Sequence, residues 1–111
     1  MNRFGVEEVL PTEAKAMVDR KDGTLLLDVR EHDEVAVASI DGALHIPMNE
    51  VGARLRELPK EKDIVIFCHS GGRSLMVAVQ MKRRGFARVF NMAGGIHGWS
   101  QTVDPNVPQY D

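Results

Sequence analysis

Residues 63–84, DIVIFCHSGGRSLMVAVQMKRR, run from an unbroken apolar stretch through a glycine-bearing turn into a helical pattern. Ile64, Val65, Ile66 and Phe67 are continuous rather than alternating, as in a strand covered on both faces. Asp63 to Cys68 is therefore expected as a central strand. From Ser74 to Arg84 apolar residues return at helical spacing: Leu75, Ala78, Val79 and Lys82 form one set, and Met76, Val77 and Met81 widen the face. Gly85 is placed as the left-handed residue ending that helix. Between strand and helix lie Cys68, His69, Ser70, Gly71, Gly72 and Arg73. A thiol there sits where the N–H groups of a helix start converge, which favours a sulfur anion.

Outward from this unit, apolar runs alternate with amphipathic stretches, the pattern of an α/β domain. Val6 to Leu10 is expected as an edge strand, and Pro11-Thr12-Glu13 opens a helix with Ala14, Met17 and Val18 on one face. Asp22-Gly23 turns the chain into a buried strand, Thr24 to Val29. Asp33 to Ala38 reads as a short helix capped by Asp33. Ala43 to Ile46 is a brief strand ended by Pro47, and Glu50 to Leu58 a helix burying Val51, Leu55 and Leu58. Arg88 to Asn91 is a last strand, Ala93-Gly94-Gly95 a tight loop, and Ile96 to Gln101 a turn of helix. The expected whole is one domain over 1–111: a central, mainly parallel sheet of about five strands with helices on both faces. Residues 102–111, with Pro105 and Pro108, are expected as an extended tail.

Composition narrows the function classes. A chain of 111 residues with 43% hydrophobic and 27% charged residues suits one modest core. No apolar stretch approaches the roughly 20 residues that span a bilayer, so no membrane partner is expected. With a net charge of −2, no nucleic-acid partner is expected either. One cysteine forms no internal disulfide, and no apolar leader opens the chain, so the expected compartment is the cytoplasm. Charge is uneven: residues 64–103 hold Arg73, Lys82, Arg83, Arg84 and Arg88 and no acid. Lys82, Arg83 and Arg84 complement the negative end of their helix. Arg73 alone is placed to act at the cysteine.

A free thiol titrates near 8.5, leaving roughly 3% thiolate at pH 7. Lowering that value by about two units multiplies the thiolate roughly 24-fold but cuts its nucleophilicity about eightfold, a net gain of only about threefold. A ring of inward-pointing N–H groups does more, because it holds an anionic group attached to the sulfur or the anion that delivers it. Gly71 and Gly72 permit the positive φ such a ring needs, Ser70 and Ser74 add hydroxyl donors, and Arg73 adds a permanent charge. Two chemistries fit: phosphoryl or arsenate handling, and sulfur transfer through a cysteine persulfide. Cysteine phosphatases share a Cys-x5-Arg loop. Cys68 to Arg73 is Cys-x4-Arg, one residue shorter, which suits a single outer sulfur better than a phosphate.

Four motifs in order carry a resemblance over nearly the whole chain: Asp28-Val29-Arg30-Glu31, then Gly42-Ala43 with Ile46-Pro47, then Cys68 to Ser74, then Gly94-Gly95-Ile96 with Trp99. Together they resemble a rhodanese domain. The resemblance implies a parallel sheet flanked by helices and a Cys68 that accepts sulfane sulfur from thiosulfate or a persulfide, then passes it to cyanide or a thiol. No cofactor is expected, and no metal, because no Cys or His cluster has ligand spacing. By position, Arg73 binds the anionic donor, and the backbone from Ser70 through Gly71 and Gly72 to Ser74 cradles the persulfide. The family's Gly-His-Ile-Pro-Gly-Ala stretch is here Ala38-Ser39-Ile40-Asp41-Gly42-Ala43. The ending, Val103-Asp104-Pro105 and Pro108-Gln109-Tyr110, resembles rhodanese domains fused to enzymes that adenylate sulfur carriers. It supports an alternative reading, a protein-binding persulfide relay that takes sulfur from a cysteine desulfurase and delivers it to a sulfur-carrier protein. A small cysteine phosphatase or arsenate reductase is the remaining alternative.

Other polar residues have plainer roles. Asp28 and Arg30 read as a structural ion pair, with Arg30 a further candidate at the substrate mouth. His69 is expected to face solvent and modulate the site. His32, His45 and His97 lack metal-ligand spacing. Met17, Met48, Met76, Met81 and Met92 read as core filler. Trp99 is expected against the Gly94-Gly95 turn or as a wall of the entrance.

Overall fold

The structure is a computed structural model, and it describes residues 2–111. Five strands form one sheet: β1 (Glu7–Val9), β2 (Leu25–Asp28), β3 (Leu44–His45), β4 (Ile64–Phe67) and β5 (Val89–Met92). All neighbours pair in parallel, in the order β1-β5-β4-β2-β3. The unbroken apolarity of β4 is explained by its place at the centre, where both faces are covered. Alternation along the strands divides the core. Leu27, Ile64, Ile66 and Cys68 face one side, packed by Val77, Ala78 and Met81 of α3 (Gly72–Arg83). Leu26, Val65, Phe67 and Met92 face the other, packed by Ala14 of α1 (Pro11–Asp19) and Ile96 and Trp99 of α4 (Gly95–Thr102). Helices thus lie on both faces, as expected.

The chain leaves β2 toward β3 on one side, and leaves β4 toward β5 on the other. Adjacent parallel strands whose connections diverge leave a crevice beyond their C-terminal ends. Cys68 directly follows β4, and Arg30 follows β2 by two residues, so topology alone puts both at that crevice. No helix among the described residues is long and apolar enough to cross a membrane.

Three expectations need correcting. The short helix α2 spans His32–Val37 and its N-cap is Glu31, not Asp33. The Glu31 N–H donates to Glu34 Oε1 at 3.2 Å, while Asp33 Oδ1 accepts the Glu34 N–H at 3.0 Å. Residues Met48–Glu57 form 3₁₀ turns with a kink at Arg54 rather than an α-helix. Gly52 in their middle lowers helix propensity and brings the backbone close to Gln80 of α3. The buried stripe of α3 contains Ser74, Val77, Ala78 and Met81, at spacings of three, one and three, and leaves Met76 half exposed. The buried face is rotated from the purely apolar pattern because Ser74, though polar, is fully buried. Lys82 lies in the last turn of α3, as expected, and also donates to the Gly5 carbonyl at 2.9 Å, tying the N-terminal segment to that helix. Gly85 ends α3 with φ +96°, as expected.

After α4 the chain turns at Pro105–Asn106 and folds back over the domain. Val107 is buried, and its carbonyl accepts the Ser100 hydroxyl at 2.6 Å. The loop at Ala38 to Ala43 also keeps its packing: Ala38 and Ile40 are buried and Gly42 turns with φ +86°.

Candidate active site

The site grows from the turn between β4 and α3. Gly71 takes φ +119° as the N-cap of α3, a conformation that glycine adopts without the Cβ penalty. That turn aims the Gly71 N–H at Cys68 Sγ, 3.1 Å away, and the Ser74 N–H at the same sulfur, 3.4 Å away. The Ser74 hydroxyl lies 3.3 Å from it. Burial pushes the thiol up. Hydrogen bonds from the Ser74 hydroxyl and from the N–H groups of Ser74, Gly71 and Ser70 outweigh it, leaving Cys68 below its ordinary value. Gly72 shares the turn but brings no N–H to the sulfur.

Two residues outside the loop hold this cradle in shape. Gly95, φ +57°, packs so closely that a Cβ there would meet the Cys68 and His69 carbonyls at 2.5 Å. From the same turn, Ile96 N–H donates to the Cys68 carbonyl at 2.9 Å and His97 N–H to the His69 carbonyl at 3.1 Å. With its carbonyls taken by α4, the loop turns its N–H groups toward the sulfur. Asn91 of β5 is the second support. Its amide nitrogen donates to the Gly71 carbonyl at 3.2 Å, which leaves Oδ1 facing the Ser74 hydroxyl at 2.5 Å. That hydroxyl has one hydrogen and several acceptors in reach. The geometry lets it donate to Asn91 while the sulfur is a thiol, and to Sγ once the thiolate carries charge.

The sulfur itself is covered, with Cys68 only 1% exposed. The expected ring of inward-pointing donors is thus present, and it surrounds a buried thiol. A cleft of about 460 Å³ opens beside the loop, bordered by its His69 and Arg73 and by Glu34 and Tyr110. A further cleft of about 410 Å³, near Trp99, Ile40 and Leu26, lies on the opposite face of the sheet from Cys68.

Arg73 is not a free guanidinium. It donates to both oxygens of Glu34, at 2.6 and 2.8 Å, the bidentate geometry that planar forks favour. Arg73 holds the Glu34 carboxyl at about 2; burial opposes this, while hydrogen bonds from the Tyr110 hydroxyl and the Glu31 N–H add to it. The Tyr110 hydroxyl, 2.7 Å from Glu34, in turn accepts from Arg30 at 3.1 Å. Arg30 is fully buried and pairs with both oxygens of Asp28, at 2.9 and 2.7 Å. The ion pair read from the sequence is therefore present. Placing Arg30 at the substrate mouth is corrected: its guanidinium is enclosed by Asp28, the Ala38 carbonyl and Tyr110.

His69 is not solvent-facing either, because the tail returns over it. Its ring stacks on Tyr110 with centroids 4.3 Å apart and meets His97 edge-on at 5.7 Å. Trp99 is buried in the core on the α1–α4 face and does not wall the entrance. Glu34, Asn91 and Tyr110 were the site residues that sequence reasoning missed. Only Asn91 gave a signal, as a polar residue breaking an apolar strand.

The model of the rhodanese-like domain family matches residues 10–102. The putative sulfur carrier protein YrkF of Bacillus subtilis is 40% identical over 99 residues, 89% of this chain and 54% of YrkF, so the chain spans about half that relative. A sulfurtransferase of Allochromatium vinosum is 38% identical over 88 residues, covering 79% of this chain and 81% of that protein. Among solved structures, the human single domain sulfurtransferase TSTD1 superposes with a TM-score of 0.80 at 26% identity, covering 88% of this chain and 98% of that one.

Proposed function

From the membership of this chain in the rhodanese-like domain family, we propose that it is a sulfurtransferase working through a persulfide on Cys68. The observation that carries the reading is the convergence of the Gly71 and Ser74 N–H groups on the only thiol in the chain. Relatives named for sulfur transfer and sulfur carriage support it. The four-residue spacing to Arg73 supports a sulfur rather than a phosphate cargo.

In the first half-reaction the Cys68 thiolate attacks the outer sulfur of a donor. The donor's S–S bond breaks and its electron pair leaves with sulfite, from thiosulfate, or with a thiolate, from a persulfide. The loop N–H groups stabilise the anionic sulfur that results, and their pre-aimed geometry costs no reorganisation at that moment. In the second half-reaction a thiol, as thiolate, or cyanide attacks the outer sulfur, and Cys68 leaves as the thiolate the loop already favours. No second cysteine lies within these 111 residues, so the acceptor group comes from outside them. A sulfur-carrier protein fits that role, with a cysteine desulfurase as donor and a reducing, cytoplasmic setting.

Intact-mass measurement after mixing with thiosulfate or with cysteine persulfide tests this. The expected result is a species heavier by one sulfur atom in the wild type and not in Cys68→Ser, lost again on adding cyanide. No such species with either donor would exclude the cycle.

A further inference from the structure

The cation expected to greet an anionic donor is already neutralised, and the residues around it are acidic. The cleft beside the loop is bordered by the carboxylates of Asp33, Glu34 and Asp111 against the single guanidinium of Arg73. Glu34 occupies two donors of that guanidinium. It is also held from behind by the Tyr110 hydroxyl and the Glu31 N–H, so its oxygens have four hydrogen bonds to give up before it swings away. Tyr110 is anchored in turn by Arg30, whose charge is fixed by buried Asp28. The carboxylate is therefore a fixed part of the mouth.

Building on the sulfur-transfer reading, we propose that Glu34 is the residue that sets the donor class, disfavouring dianionic donors such as thiosulfate and admitting sulfane sulfur carried as a thiol persulfide of lower charge. A dianion meets Glu34, Asp33 and Asp111 with its full charge and finds Arg73 engaged. A persulfide group brings at most one negative charge, on the outer sulfur, and the loop N–H groups serve that atom without help from Arg73. The step balances without further reactants: the Cys68 thiolate and R–S–SH give the Cys68 persulfide and R–S⁻.

The test measures initial rates of Cys68 persulfide formation by quenched intact-mass analysis, with thiosulfate and with cysteine persulfide, on the full chain and on Glu34→Gln. The expected result is that Glu34→Gln raises kcat/KM for thiosulfate relative to that for cysteine persulfide by about tenfold, the size of one charge–charge interaction in a half-dry site. Most of that change should fall in KM. An unchanged or reversed ratio overturns the proposal. A second measurement needs no variant: added sodium chloride should speed thiosulfate loading of the wild type, because it screens like charges, and slowing overturns the proposal. If neither donor loads the wild type, the sulfur-transfer reading falls and takes this one with it. If both load but the ratio stays put, only the role of Glu34 fails.

Discussion

At the scale of single side chains, Ser74 does the most with the least. It gives Cys68 a backbone N–H and a hydroxyl from one buried position on α3. Replacing Ser74 by Ala keeps the N–H and removes the hydroxyl, so one stabiliser of the thiolate is lost and the Cys68 value rises. Because only the thiolate reacts, the rising limb of alkylation rate against pH moves to higher pH. We expect Ser74→Ala to alkylate several-fold more slowly than wild type near pH 7 and to catch up above about pH 9. A pH–rate profile with iodoacetamide checks this, and a profile superimposable on the wild type would remove the hydroxyl from the account. At this scale the sequence was partly legible. A lone thiol after an apolar run announces itself. Glu34 and Tyr110 do not, since their partners at the site lie 39 and 76 residues away and no local pattern links them.

At the scale of elements, the start of α4 acts as a brace for a loop that belongs to another part of the chain. The tight Gly94-Gly95 turn was readable from the sequence, and so were β2, β4 and β5, because their apolar runs are short and bounded by turn residues. Why the turn needs glycine was not readable, since the reason is the Cys68 and His69 backbone pressed against it. Gly95→Ala puts a methyl within 2.5 Å of two carbonyl groups and at a φ that alanine resists. Backbone cannot yield as a flexible side chain does, so the variant is expected to lose at least ~2 kcal/mol of stability. Urea unfolding measures it, and a midpoint equal to wild type would show that the brace is loose. The 3₁₀ turns at Met48–Glu57 were not readable because their apolar spacing suits an α-helix equally well.

At the scale of the whole molecule, every layer contributes to one atom. The parallel sheet delivers Cys68 to its switch point, α3 supplies the donors, α4 holds the loop carbonyls, and α2 and the tail settle the charge of Arg73. The architecture was legible because alternating apolar runs and helical patterns leave few alternatives. The return of the tail onto His69 was not, since Tyr110 makes contacts that only the folded chain brings together. What all of this should produce is a stabilised sulfur anion, and the chain is well suited to a direct reading of it. Cys68 is its sole cysteine, and the sole tyrosine, Tyr110, is pushed above its ordinary value by burial, away from the thiol's range. Ultraviolet titration of thiolate absorbance in the native protein should therefore give a single transition below about 8.5, the value of a free cysteine. A transition at or above that value would contradict the claim that the loop N–H groups stabilise the Cys68 thiolate.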